Sequence, residues 1–112
     1  MIALNKKTGE PIATDVKKAE NLRDRLFGFI PRKSIDKSEG LLLKPCSSIH
    51  TCFMKFSIDA VFLDENMKVI AIVNSMKPWR FSAWHISANS VLELQAGASF
   101  GKISKGDEIE IK

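Results

Sequence analysis

The chain has 112 residues, of which 45% are hydrophobic and 27% charged, with 17 Lys and Arg against 13 Asp and Glu. That is the size and balance of one ordinary globular domain with a single core, and it excludes a disordered or low-complexity chain. No run approaches the ~20 apolar residues of a membrane-spanning helix, and the opening Met1-Ile2-Ala3-Leu4-Asn5-Lys6-Lys7 turns polar too soon for a secretory leader, so a cytoplasmic protein with no membrane partner is expected.

The elements follow in chain order. Residues 2–4 and 11–14 are short, extended and separated by a polar turn holding Gly9, which predicts an N-terminal hairpin. Pro11 suits a strand start or an edge. Asp15 is a candidate helix N-cap, and 18–27 has helical spacing. Ala19, Leu22, Leu26 and Phe29 or Ile30 recur at intervals of three and four, with Lys18, Asn21, Asp24 and Arg25 mainly opposite. Gly28 lies near the end of this predicted amphipathic helix, and Pro31 stops it. A polar loop over 32–40 leads to a strand at 41–43, ended by Pro45.

Residues 49–54, if extended, put His50, Cys52 and Met54 on one face and Ile49, Thr51 and Phe53 on the other. Residues 58–63 are apolar on both faces apart from Asp59 and read as a central strand. Asp64-Glu65-Asn66 turns the chain, with Asn66 suited to a left-handed conformation, and 68–73 returns antiparallel. Residues 75–90 have no clean period and form a long irregular loop. A strand at 90–95 sets Leu92 and Leu94 on one face and Glu93 on the other. A single helical turn at 96–99, a tight turn at 104–107 and a last strand with Ile109 and Ile111 inward complete the chain. The sum is six to eight short strands and one helix. It predicts a mainly β (α+β) fold: a small antiparallel β-barrel-like or rolled sheet with one amphipathic helix, in a single domain over 1–112.

Four groups of residues could carry chemistry. Cys46, His50 and Cys52 form C-x3-H-x-C, and with His85 they supply the inventory of a zinc site, but not the paired C-x2-4-C spacing. Met54 beside His50 and Cys52 would suit copper. The plainer reading makes both thiols small core residues, reduced in a chain without an export signal, so no metal or other cofactor is expected. Cys46 or Cys52 with His50 could also act as nucleophile and base, without any oxyanion motif in support. Asp59, inside an apolar strand, needs a donor, and Lys55 and His50 are the local candidates.

Trp79-Arg80-Phe81 and Trp84-His85 suit stacking against a partner, or simply lid the core. Pro78 favours a packed, mostly buried Trp79 and leaves Trp84 the more exposed. The cations are scattered in small clusters at Lys6-Lys7, Lys17-Lys18 and Arg32-Lys33, so nucleic acid is not an expected partner.

PCSSIHTCFMKFSIDAVFLD resembles the signature of the family known as domain of unknown function 192: a Cys, a His-Thr pair, Met with Arg or Lys, then an Ile-Asp pair opening an apolar strand. Arg25-Leu26-Phe27-Gly28-Phe29 resembles its Arg-x-x-Gly-Leu block, with Phe29 where Leu or Ile is usual. Gly40-Leu41-Leu42-Leu43, Pro78-Trp79-Arg80, Val91-Leu92-Glu93-Leu94-Gln95-Ala96-Gly97 and Ile103-x-x-Gly106-Asp107 match further blocks, with Gln95 where Pro is common. The resemblance covers nearly the whole chain and implies a compact β-rich fold, with no reaction attached to it.

The functional expectation is a binding module. Its polar pocket would form around His50, Thr51, Met54, Lys55 and Asp59, with Arg80 and Glu93 reaching in from the other side. The ligand would be a small anionic or polyhydroxy molecule, because Lys55 and Arg80 supply positive donors. Two alternatives stand beside it. One is a metal- or thiol-dependent enzyme using Cys46, His50 and Cys52. The other is a nucleic-acid or protein adaptor working through the Trp79–Trp84 loop.

Overall fold

The structure, a computed structural model, describes residues 1–21, Asp24 and 27–112. Eight strands are present among them: β1 (Ala3–Asn5), β2 (Pro11–Ala13), β3 (Asp15–Ala19), β4 (Glu39–Leu43), β5 (Ile58–Leu63), β6 (Val69–Met76), β7 (Ser90–Gln95) and β8 (Ile109–Ile111). They form a three-stranded sheet of order β2-β1-β8 and a five-stranded sheet of order β3-β4-β7-β5-β6. All pairings are antiparallel except β3 with β4. The sheets meet at one corner, where the Val69 amide donates to the Asp107 carbonyl at 2.8 Å and the Ile109 amide to the Met67 carbonyl at 2.9 Å.

The five-stranded sheet is covered on both faces, which explains why β5, apolar apart from Asp59, is buried at every position. Side-chain alternation divides that burial between two cores. Val61, Leu63, Leu92 and Leu94 face the three-stranded sheet and pack with Ala3, Ile12 and Ile109. Ile58, Ala60, Phe62 and Val91 face the other way, against Phe29, Ile35, Ile49 and Met54 from the long connections.

The N-terminal hairpin forms as expected, with Ala3 opposite Ala13. Of the helix predicted over 18–27, residues 18 and 19 belong to a strand instead. Asp15 is not an N-cap: it opens β3, whose residues pair in parallel with β4 from Asp15↔Glu39 to Ala19↔Leu43. Pairing with a distant strand, which buries Val16 and Ala19, overrides the local helical spacing. Leu22, Arg23, Arg25 and Leu26 lie outside the described residues. Beside them the Asp24 amide donates to Asn21 Oδ1, and the Gly28 amide to the Asp24 carbonyl, each at 2.8 Å. Nor is there a closed barrel. β3 and β6 end the larger sheet and are not paired to each other. The parallel step at β3–β4 and a separate second sheet replace closure.

Asp59 has a structural post in this fold. Opposite it β6 carries an extra residue, since Ile58 faces Met76 while Ala60 faces Val73. Ser75 in that bulge has φ of 50°. Fully buried Asp59 accepts from the Ser75 amide at 2.8 Å, the Ser99 amide at 3.1 Å and the Ser99 hydroxyl at 2.6 Å. Lys55 and His50, the donors expected from sequence, are not its partners. The carboxylate stabilises the bulge and the turn at 96–99 together. Asp59→Ala should therefore cost about 2–4 kcal/mol in urea unfolding. A loss within about 0.5 kcal/mol would mean the bulge holds without it.

Candidate functional site

The second core is incomplete. Between β7 and the connections lies a cavity of about 480 Å³, with Phe29, Leu43, Ile49 and Met54 in its walls and Phe27 and Phe81, both largely exposed, at its edge. His50, Cys46, Glu93 and the serines 47, 48 and 82 also line it.

Glu93 is the unusual member. On the middle strand it lies opposite Leu41 of β4 and Ala60 of β5, so its side chain leaves the sheet on the second-core face, away from Leu92 and Leu94. It is only 3% exposed and accepts no hydrogen bond from the described residues, and since no fully buried side-chain oxygen lacks a partner among them, its carboxyl oxygens stay accessible from the cavity. Burial pushes its carboxyl up from 4.5 to about 8, so at neutral pH it is largely a protonated acid. Gly28 roofs it. A Cβ there would stand 3.5 Å from Glu93 Oε1, and φ of +48° disfavours any side chain.

The cavity's outer wall is a ribbon made of 47–53 and 79–85, running antiparallel. The His85 amide donates to the Ser47 carbonyl and the Ser82 amide to the Ile49 carbonyl, each at 2.9 Å, and His50 bridges Phe81. Thr51 pins this ribbon. Fully buried, it donates from Oγ1 to the Lys77 carbonyl at 2.6 Å and accepts there from the Arg80 amide at 3.0 Å, while its own amide donates to the Arg80 carbonyl at 2.9 Å. His50 Nδ1 accepts from the Cys52 amide at 3.2 Å, which leaves the proton of the neutral ring on Nε2 as a donor.

Of the seven residues proposed from sequence, the fold brings His50, Met54 and Glu93 to one cavity. Thr51 supports them from behind. Lys55 and Arg80 are exposed and do not line the cavity, and Asp59 belongs to the opposite face of the sheet. The expected alternation over 49–54 is lost, because Phe53 takes φ of 67° and the Met54 amide turns back to the Thr51 carbonyl. Cys46, His50 and Cys52 therefore do not converge. No group of three His, Cys, Asp or Glu that could hold a metal occurs among the described residues, and no disulfide joins the cysteines. Cys46 Sγ donates to the Ser48 carbonyl at 3.1 Å.

Trp79 is not buried as expected. At φ of 64° it turns outward, 56% exposed and 4.6 Å from the Phe53 ring, while Trp84 is the more exposed at 76%. Sequence reasoning missed Gly28, Phe29 and Ser82. For Phe29 and Gly28 the helical reading of the preceding segment concealed the approach to β7. Ser82, whose hydroxyl accepts from the Ile49 amide at 2.9 Å, carries no signal of its own.

Comparison with known proteins gives a consistent picture. The DUF192 family model, described as Uncharacterized ACR, matches residues 3–111. A UPF0127 protein of Pyrococcus furiosus is 30% identical over 111 residues, covering 96% of this chain and 95% of that relative. A candidate transcription regulator of Sinorhizobium meliloti superposes with a TM-score of 0.84 at 20% identity, over 97% of this chain and 89% of its own. A protein of unknown function from Novosphingobium aromaticivorans does so at 0.78 and 18%, over 86% of this chain and 74% of its own. At these identities the two structures share the fold alone.

The acid at Glu93 has a consequence for stability. The unfolded chain ionises this group near 4.5 and the folded chain near 8. Between those values the folded state holds a proton that the unfolded state has released. Stability is therefore full below the lower value and falls as pH rises through the upper one, by about 5 kcal/mol at the limit. Glu93→Gln, neutral and similar in shape, should abolish that decline when urea midpoints are compared between pH 5 and pH 9. Parallel declines in both proteins would mean that Glu93 ionises freely in the folded state.

Proposed function

The chain belongs to the DUF192 family, and on that premise we propose that it is a binding module for a small ligand held over Glu93. One observation carries the reading: a glutamate 3% exposed, accepting no hydrogen bond from the described residues, with its carboxyl lining a cavity of about 480 Å³. Burying such a group costs free energy, and a volume of this order suits a small organic molecule. The fold sustains that cost at its central strand, where an apolar residue would pack without it.

The same lining narrows the ligand. No Lys or Arg of the described residues lines the cavity, so the anionic ligand expected from Lys55 and Arg80 would meet neither of them, nor any other described cation, there. The protonated Glu93 carboxyl and the serine hydroxyls are donors without charge, and His50 adds its ring nitrogen Nε2. Apolar walls occupy most of the remainder. The ligand is therefore uncharged, with a carbonyl or hydroxyl directed at Glu93 and an apolar body against Phe29, Ile49 and Met54. This departs from both the anionic and the polyhydroxy ligand expected from sequence.

Cyclohexanone and cyclohexanol serve as probes. In NMR titrations they should shift signals of Ile49, His50, Met54 and Ser82 together. Affinity should be constant at acid and neutral pH and weaken about tenfold per unit well above pH 8, as the carboxyl ionises. Glu93→Gln should bind and Glu93→Leu should not. Binding that strengthens as Glu93 ionises, or that survives Glu93→Leu unchanged, would defeat the proposal.

A further inference from the structure

The ribbon over the cavity has an outer surface of which the ligand pocket uses only Phe81. Phe53, Trp79, Phe81, Trp84 and Ile86 are each more than half exposed, Trp84 at 76% and Ile86 at 89%. The backbone holds them outward: Phe53 and Trp79 both have positive φ, and Thr51 fastens the carbonyls and amides between them. Residues 44–58 and 75–92 contain Lys44, Lys55, Lys77 and Arg80 and not one Asp or Glu, so these two stretches alone account for the chain's net charge of +4. Lys55, Lys77 and Arg80 are exposed beside the aromatic residues.

We propose that this ribbon is a docking surface for an anionic lipid bilayer, entered by its aromatic and aliphatic side chains and held by its cations. Charge complementarity selects an anionic partner. The side chains select a bilayer over a nucleic acid. Stacking on bases needs free ring faces, yet the Trp79 indole already lies 4.6 Å from the Phe53 ring, and Ile86 has no ring at all. Insertion needs only apolar volume at the tip and cations at headgroup height, which is the pattern of interfacial anchors. The proposal departs from the sequence-based expectation of no membrane partner, which was argued only from the lack of a spanning stretch. No helix among the described residues could cross a bilayer, and peripheral docking requires none. The inference is independent of the ligand proposal, since Trp84 and Ile86 do not line the cavity.

The test is sedimentation of the full chain with phosphatidylglycerol–phosphatidylcholine vesicles and with pure phosphatidylcholine vesicles. Partition should favour the anionic vesicles, fall with salt and carry a blue shift of tryptophan emission. Lys77→Gln with Arg80→Gln should lower it about 25-fold, near fivefold per charge. Trp84→Ser with Ile86→Ser, both at exposed positions, should lower it at least about tenfold while leaving the thermal melt unchanged. Failure to sediment with anionic vesicles overturns the proposal, as does partition unaltered by the Trp84 and Ile86 substitutions. Retention on single-stranded DNA without vesicle binding overturns it in favour of a nucleic-acid surface.

Discussion

Strand β7 constrains everything else. It is hydrogen-bonded along both edges, to β4 and β5, and Val91, Leu92, Glu93 and Leu94 are all buried. Its alternate residues serve two cores, so its register against either neighbour cannot slip by one residue without exchanging them. A slip would carry Leu92 and Leu94 into the cavity and Glu93 into the packed interior between the sheets. Apolar packing on the first-core face thus dictates where the acid on the other face stands.

Two buried carboxyls reveal how differently one sheet treats the same group. Asp59 accepts three hydrogen bonds and holds a bulge and a turn in place. Its burial is compensated within the fold. Glu93 accepts no hydrogen bond from the described residues and lines the cavity. A polar group that is buried, unpartnered and at a cavity is where a function is most reasonably sought, because packing alone would have favoured a hydrocarbon side chain there. The two groups are one strand apart and on opposite faces, so they do not act together.

The ribbon of 47–53 and 79–85 explains both the cavity and the exposed aromatic surface. With few regular ladder bonds, it depends on Thr51, which satisfies buried backbone groups that a sheet would otherwise satisfy. Its left-handed residues send Phe53 and Trp79 outward. The ribbon therefore stands over β7 as a wall, without filling the space beneath, and presents its larger apolar side chains to the outside.

Much of the architecture was legible in the chain itself. Alternation and turn residues disclosed the N-terminal hairpin, β5, β6, β7 and β8, because strand periodicity and turn chemistry are local. Glu93 could be seen to oppose Leu92 and Leu94, and the ordered family motifs marked His50, Met54 and Glu93 among their residues. What remained hidden depended on partners distant in sequence. Asp15–Ala19 became a strand because the edge of β4 was there to receive it. Asp59 went to Ser75 and Ser99 instead of to the nearby Lys55, because strand parity sent its side chain to the other face. Periodicity tells which residues share a face of one strand. Which face meets a cavity, a core or water is settled only when the strands pair and the connections cover them.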